Sequence, residues 1–279
     1  MNDASTAIIT RAIPSSGEAL PVIGLGTWQT FDVDLDGSED ARLAEVLSTL
    51  ARQPNAVVDS SPMYGNAESV VGALVNTLKL RRQLFVATKV WTSGKAAGQR
   101  QIEASMRKLE TATLDLLQVH NLVDVDTQLT TLRELREAGR VRYIGVTHYA
   151  ASAHAAVVDV LAREPVDFVQ VNYSAFEREA EQSVLPIAQQ RGIAVIANRP
   201  FASGAAMRRL RNRPLPGWAV DIGCTTWPQL LLKFIVGHPA ITCTIPATAN
   251  PDHLRDNLKA GMQPLPDAAM RERIAAAVS

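Results

Sequence analysis

Short apolar runs rich in β-branched residues recur along the chain, and they constrain its fold more than any other feature. They do not alternate apolar with polar residues, so they look like strands buried on both faces, as parallel sheets require. Parallel strands must be joined by long crossover connections, which are usually helices. The eight predicted strands cover residues 22–28, 56–60, 84–90, 114–120, 141–148, 168–173, 193–198 and 241–247.

Segments with helical periodicity lie between these runs. In residues 41–53 apolar side chains recur at three- and four-residue spacing, which is typical of an amphipathic helix. Eight strand–helix units over about 250 residues predict an α/β fold, the (β/α)8 TIM barrel. An open doubly wound sheet is the alternative, but its Gly-rich loop has no counterpart after residues 22–28. The other predicted helices cover residues 68–79, 101–110, 129–139, 153–164, 180–192, 225–237 and 251–261.

The connections between these elements indicate one domain. No linker or low-complexity tract interrupts the pattern, so we expect a single domain over residues 1–279. One connection, residues 199–224, is much longer than the others. Long connections in compact domains are often lids over functional sites, and a surface excursion without function is the alternative.

Composition excludes several classes of protein. Hydrophobic residues make up 47% of the chain, charged residues 20%, and the formal net charge is +0. Such a balance gives no reason to expect nucleic acid or an acidic membrane surface as a partner. Cys224 and Cys243 have no disulfide or metal-binding spacing, and we expect two reduced core thiols. Residues 1–16 contain no long apolar run, and no stretch approaches the about 20 apolar residues of a membrane span, so we expect a cytoplasmic protein.

Polar residues stand at the ends of three consecutive predicted strands. Asp59 ends the second strand, Tyr64 lies on the loop that follows, Lys89 is near the end of the third strand, and His120 ends the fourth. Neighbouring strands lie about 4.8 Å apart, so these side chains should meet at one mouth of the barrel. Asp59 would be the counter-ion of the buried lysine. The ammonium would lower the pKa of Tyr64 and make it a general acid, and His120 would orient a carbonyl oxygen.

Each of these residues also has a structural interpretation when it is taken alone. Asp59 could cap a helix, and Lys89 could extend its ammonium to the barrel rim. Tyr64 could be an ordinary loop residue and His120 a hydrogen-bonded core histidine. The conjunction of all four at adjacent strand ends favours a catalytic site.

At these residues the sequence resembles the aldo-keto reductases. The stretches "GLGTW", "VVDSSPMYGNAESVVGALV", "VATKVW", "SMRKLETATLDLLQVHN", "VRYIGVTHY", "VDFVQVNY" and "TIPATANPDHLRDNLKA" follow the order of that family over nearly the whole chain. The resemblance implies a (β/α)8 barrel that binds NADP, with NAD as the alternative, and a catalytic tetrad of Asp59, Tyr64, Lys89 and His120. It also implies that residues 11–24 form a β-hairpin at the bottom of the barrel.

The resemblance is weaker for the cofactor cleft. Thr147 and His148 stand where the family usually has Ser-Asn, and Asn198 and Arg199 stand near its usual stacking tyrosine. Where many members have Lys-Ser and an arginine for the adenosine 2′-phosphate, this chain has Ala247, Thr248 and His253, although Arg255 is retained. The residues that the resemblance assigns to cofactor binding are Thr27, Asp59, Thr147, His148, Gln170, Asn198, Arg199, Thr248, His253, Arg255 and Asn257.

The histidines and aromatic residues at the strand ends suggest further roles. His148 should point into the same mouth as His120, where it could bind the carboxamide, anchor substrate, or form a metal site with His120 and Asp59. The last alternative is disfavoured by the ammonium of Lys89. Trp28, Trp91 and Phe201 should line the substrate pocket, with rim packing as the alternative. His154 and His238 lie in helical or helix-end contexts, and we expect them on the surface.

Three functions remain open from the sequence. The first is NAD(P)H-dependent reduction of an aldehyde or ketone, with a small-molecule carbonyl substrate and Tyr64 as general acid. The second is a redox-neutral lyase, isomerase or cyclase that uses Tyr64 as a proton donor without hydride transfer. The third is a non-catalytic binding module, which the intact tetrad disfavours. The sequence carries no indication of oligomeric state.

Overall fold

The computed structural model describes residues 7–35 and 37–278, and within these ranges strands and helices alternate along most of the chain. The strands are β1 Thr10–Ala12, β2 Ala19–Pro21, β3 Leu25–Gly26, β4 Ala56–Asp59, β5 Leu84–Val90, β6 Leu114–His120, β7 Val141–His148, β8 Phe168–Asn172, β9 Ala194–Asn198 and β10 Ile241–Thr244. The helices are α1 Ser38–Leu50, α2 Ala67–Thr77, α3 Lys95–Lys108, α4 Val125–Glu137, α5 His154–Arg163, α6 Val184–Arg191, α7 Ala205–Leu210, α8 Trp227–Val236, α9 Pro251–Lys259 and α10 Ala268–Val278.

Strands β3 to β10 form one parallel sheet in sequence order. Parallel bridges from Ile23 to Thr244 and from Gly26 to Ala247 bring its two edges together. The sheet is therefore a nearly closed barrel, and the predicted (β/α)8 fold is confirmed. All its strands run in one direction, so their C-terminal ends lie at one mouth.

The hairpin expected before the barrel is also confirmed. β1 pairs with β2 in antiparallel register, with Arg11 opposite Leu20. Ile13 and Leu20, which are fully buried, join the apolar cluster inside the barrel together with Val57 and Phe85 from the first residues of β4 and β5. Because these residues begin their strands, the hairpin covers the bottom of the barrel and leaves the other mouth open to ligands.

The alternation of side chains along each strand separates two cores. Phe85 and Ala87 belong to the cluster inside the barrel, whereas Val86 and Val90 belong to the larger cluster between barrel and helices. Since strand side chains alternate between the two faces, Lys89 points inward above Ala87. Asp59 likewise follows Val57 on the inward face.

The structure also contains elements that periodicity did not predict. The long connection of residues 199–224 contains α7, and its Leu210 and Ile222 are buried in the main core. Helix α10 was not predicted either, because its alanine-rich sequence has little apolar periodicity, yet its Ile274 is fully buried. In the described part of the chain no helix combines the length and apolar character that membrane crossing requires.

Candidate active site

A buried ion pair lies at the C-terminal mouth of the barrel. The Lys89 ammonium donates hydrogen bonds to Asp59 Oδ2 and to the Ser60 carbonyl, each at 2.7 Å. Both side chains are almost completely buried. Burial lowers the pKa of Lys89, but the charge and hydrogen bond of Asp59 together with Tyr64 and Glu68 outweigh burial and raise the pKa above its usual value. Lys89 is therefore a fixed cation at neutral pH.

Tyr64 lies beside this cation. The Lys89 nitrogen is 5.2 Å from the centre of the Tyr64 ring. The expectation of a lowered tyrosine pKa is wrong for the protein without ligands: burial raises the pKa of Tyr64, Lys89 lowers it, and Asp59 raises it again. The net direction is upward because desolvation penalises the phenolate more than the ammonium stabilises it. Tyr64 is thus a protonated donor at neutral pH.

His120 completes the predicted group of four. Its ring lies edge-on to Tyr64 with centres 6.4 Å apart, and its centre is 5.9 Å from the Trp91 ring. Burial, then Lys89 and then His148, lower the pKa of His120 to about 3, so the imidazole is neutral. Its Nδ1 is 3.4 Å from Ser61 Oγ. If Nδ1 accepts this weak hydrogen bond, Nε2 carries the proton.

A network of amides connects the ion pair to the opposite strands. Gln170 on β8 donates from Nε2 to Asp59 Oδ1 at 2.9 Å. Its Oε1 accepts from Thr147 Oγ1 at 3.2 Å and from Asn198 Nδ2 at 3.4 Å. Gln170 was predicted only as a cofactor contact, and no pattern in the sequence indicates its bond to Asp59. The residue joins the tetrad to the strands that were assigned to cofactor binding.

The other candidates on these strands lie around the same mouth. His148 is half-buried, its Nδ1 accepts from the Ala150 amide at 3.1 Å, and burial followed by the charge of His154 lowers its pKa. Buried Asn198 Oδ1 and Arg199 Nε have no hydrogen-bond partner in the described part of the chain. The Arg199 backbone has a φ of 52°, a left-handed conformation that is uncommon for residues with side chains.

Three other predicted cofactor residues form hydrogen bonds or ion pairs with other residues of the protein. Thr27 is buried and donates to the Asp59 carbonyl at 3.0 Å. Thr248 accepts from the Asn250 amide at 3.0 Å, in the turn that begins α9. Arg255 forms ion pairs with Asp252 and with Glu45 of α1.

The two remaining cofactor candidates, His253 and Asn257, both lie on α9 but differ in solvent exposure. His253 is exposed, whereas Asn257 is buried.

The predicted pocket aromatics have different environments. Trp28 and Trp91 follow β3 and β5 and are 43% and 38% exposed, so they line the open mouth. Phe201 is partly buried against the main core. Met63 and Tyr149, which the sequence analysis did not single out, are also exposed apolar residues at strand ends. Their positions after β4 and β7 were the signal that could have identified them.

The exposure predicted for one histidine is wrong. His154 is buried, with Nε2 3.0 Å from Asn172 Oδ1, whereas His238 is half-buried and packs edge-on against Tyr173. His154 was expected on the surface because helical periodicity does not show which face meets a neighbouring element. Over residues 7–35 and 37–278, no three His, Cys, Asp or Glu residues are arranged to hold a metal ion. Both cysteines are free and buried.

Comparisons with known proteins agree on one family. The model of the Aldo/keto reductase family matches residues 22–277. An aldo-keto reductase of Bacillus subtilis is 30% identical over 201 residues, 66% of this chain and 60% of that protein, which is less than two thirds of its length. A methylglyoxal reductase of Escherichia coli is 28% identical over 88% of both chains. An aldo-keto reductase of Klebsiella pneumoniae, solved in complex with NADPH, superposes with a TM-score of 0.81 at 25% identity, covering 97% of this chain and 96% of that one.

Proposed function

Because this chain belongs to the aldo/keto reductase family, we propose that it reduces the carbonyl group of a small aldehyde or ketone, with NADPH as hydride donor. One observation carries the proposal. The buried ion pair of Asp59 and Lys89 lies beside a protonated Tyr64 and a neutral His120 at the mouth of the barrel. No observation favours the redox-neutral alternative or the binding module.

In this mechanism Tyr64 is the general acid. NADPH, when bound, supplies the hydride that adds to the carbonyl carbon. The Tyr64 hydroxyl gives its proton to the carbonyl oxygen, so an alcohol and a tyrosinate result. The ammonium of Lys89 stabilises this tyrosinate, and Asp59 keeps the ammonium charged.

His120 positions the substrate in the same mechanism. A neutral imidazole can donate one hydrogen bond from Nε2 to the carbonyl oxygen without competing as the proton source. The pKa of about 3 keeps His120 neutral throughout the physiological range. Trp28 and Trp91 would enclose the apolar part of the substrate beside it.

The residues on the opposite strands fit a dinucleotide. Buried polar atoms without partners require a ligand or water, and Asn198 Oδ1 and Arg199 Nε are two such atoms. We assign the nicotinamide end to Gln170, Thr147, His148 and Asn198, with Thr27 and Asp59 supporting it, and a phosphate to Arg199.

The adenosine end would contact residues of the last βα unit, namely Thr248, His253, Arg255 and Asn257. The solved relative with NADPH supports NADP as the cofactor. NAD is the alternative, because the ion pairs of Arg255 with Glu45 and Asp252 oppose its contact with a 2′-phosphate. We also propose that residues 1–279 form a single cytoplasmic domain.

A titration and a turnover assay test the proposed function. NADPH and NADH are titrated separately by nicotinamide fluorescence, and oxidation of NADPH is followed with an aromatic aldehyde and with methylglyoxal. We expect NADPH binding and aldehyde-dependent oxidation. Tyr64→Phe should lower kcat by about 10²- to 10⁴-fold, the usual contribution of a general acid, and should leave NADPH affinity unchanged. Absence of binding of either dinucleotide at millimolar concentration would contradict the proposal.

A further inference from the structure

A buried glutamate lies directly outside the barrel wall behind the active site. Glu68 is in the first turn of α2 and is completely inaccessible to solvent. Thr88 Oγ1 donates to its Oε1 at 2.5 Å, and Ser105 Oγ of α3 donates to its Oε2 at 3.1 Å. The carboxylate therefore joins three elements, α2, β5 and α3, through two hydroxyl groups.

Two active-site residues, Lys89 and Tyr64, lie close in sequence to Thr88 and Glu68. Thr88 immediately precedes Lys89, and because strand side chains alternate, Thr88 points out of the barrel while Lys89 points in. Tyr64 precedes Glu68 by four residues, and its carbonyl accepts from the amide of Ala67, the first residue of α2, at 3.1 Å. The Glu68–Thr88 bond thus links the segment that carries Tyr64 to the strand that carries Lys89.

Burying a carboxylate in this contact costs more free energy than a purely structural contact needs to. A buried carboxylate usually needs an ion-pair partner, and the two side-chain groups that donate to Glu68 are neutral hydroxyls. Burial raises the pKa of Glu68, and the hydrogen bonds from Thr88 and Ser105, together with the more distant charges of Lys108 and Lys89, offset this rise only in part. The N-terminus of α2 contributes a further favourable field. A hydrophobic contact could join the same elements at lower cost, so the presence of a buried, hydrogen-bonded carboxyl group here indicates a role in the site.

We propose that Glu68 is a positioning residue, which holds Tyr64 and Lys89 in register through its hydrogen bond with Thr88. This inference rests on the proposed reduction, since the alignment matters for proton transfer from Tyr64.

Four variants separate the positioning role from a merely structural one. Glu68→Ala removes both bonds, Glu68→Gln keeps two bonding groups without the charge, and Thr88→Val removes only the bond to β5. Ser105→Ala is the matched control, because it removes the bond to α3 and leaves Thr88 in place. For each variant, kcat, KM for the aldehyde, NADPH affinity by fluorescence, and the melting temperature are measured.

We expect Glu68→Ala and Thr88→Val to lower kcat by about 10- to 100-fold, the range for an ångström-scale misplacement. NADPH affinity should stay within about twofold in both. Glu68→Gln should recover most of the lost kcat, and Ser105→Ala should keep kcat within about twofold of the unaltered enzyme. Equal losses of kcat in Thr88→Val and Ser105→Ala would overturn the proposal.

A fall in melting temperature without a fall in kcat would also overturn the inference. If Glu68→Ala fails to fold, the comparison of Thr88→Val with Ser105→Ala decides. The unaltered enzyme distinguishes this failure from failure of the proposed function, because a protein that does not oxidise NADPH with any aldehyde contradicts the reductase activity itself.

Discussion

Two parts of the barrel mouth, the ion pair of Asp59 and Lys89 and the end of β9, differ in how completely their polar groups are paired. On the side of β4 and β5, both Asp59 oxygens accept hydrogen bonds, and Lys89 is bonded to two oxygens. On the side of β9, Asn198 Oδ1 and Arg199 Nε are buried without a partner among the residues that the structure describes. The first side holds its charges in place before any ligand binds, whereas the second has bonding capacity left for one. Chemistry and cofactor binding should therefore respond separately to mutation.

Lys89→Met should have the largest effect, because it disrupts the side that is already paired. Without the ammonium, the tyrosinate formed by proton donation loses its stabilisation, and kcat should fall by about 10²-fold or more at neutral pH. The loss should be smaller at acidic pH, where solvent protonates the tyrosinate more readily. A pH–rate profile with the same shape as that of the unaltered enzyme would contradict the role of Lys89.

The same variant should lower stability. The folded-state pKa of Lys89 is raised, so its pairing stabilises the protein at all pH values below the unfolded pKa of lysine and is lost as pH rises through the folded pKa. At pH 7, Lys89→Met leaves Asp59 buried without its cation, which costs about 3–5 kcal/mol in the free energy of unfolding. Denaturant unfolding measures this cost. The double variant Asp59→Asn, Lys89→Met is the control, and it should regain stability without regaining turnover.

Arg199→Ala tests the side with unpaired groups. A charge-assisted contact to a phosphate contributes about 1.5–3 kcal/mol, so dinucleotide affinity should weaken by about 10- to 100-fold. Saturating kcat should change little, which is the reverse of the pattern expected for Tyr64→Phe. Fluorescence titration at two salt concentrations measures the effect, and Arg191→Ala, an exposed arginine that donates to the Ala162 carbonyl on α5, is the control. Unchanged affinity would remove Arg199 from the cofactor site.

Glu45→Gln should have the smallest effect and should refine the same comparison. Glu45 and Asp252 both pair with Arg255 on the surface. Such exposed pairs contribute about 0–1 kcal/mol, so releasing one should raise NADPH affinity by no more than about fivefold. NADH affinity should not change, because NADH lacks the 2′-phosphate. Equal changes for both dinucleotides would show that Arg255 does not discriminate between them.

The sequence by itself predicted the architecture and the four strand-end residues. Buried apolar runs separated by segments with helical periodicity specify a parallel sheet with helical crossovers. The C-terminal ends of the parallel strands meet at one mouth of the barrel, and the conformation of the loops does not change this. Asp59, Lys89 and His120 could be found for this reason. Helix α10 could not, because its alanine-rich sequence has little periodicity and its burial depends on packing against α8.

Tertiary structure alone decided the electrostatics and the long-range contacts. The direction of the Tyr64 pKa shift depends on the balance between burial and two opposite charges. That balance depends on the distances between the groups, which the sequence alone does not specify. The bonds of Gln170 to Asp59 and of Arg255 to Glu45 join residues 111 and 210 positions apart. The burial of Glu68 against Thr88 and Ser105 likewise follows from how α2 and α3 pack on β5. Local sequence fixes which groups a strand or helix presents, but only the closed barrel determines which of them meet and how much water remains between them.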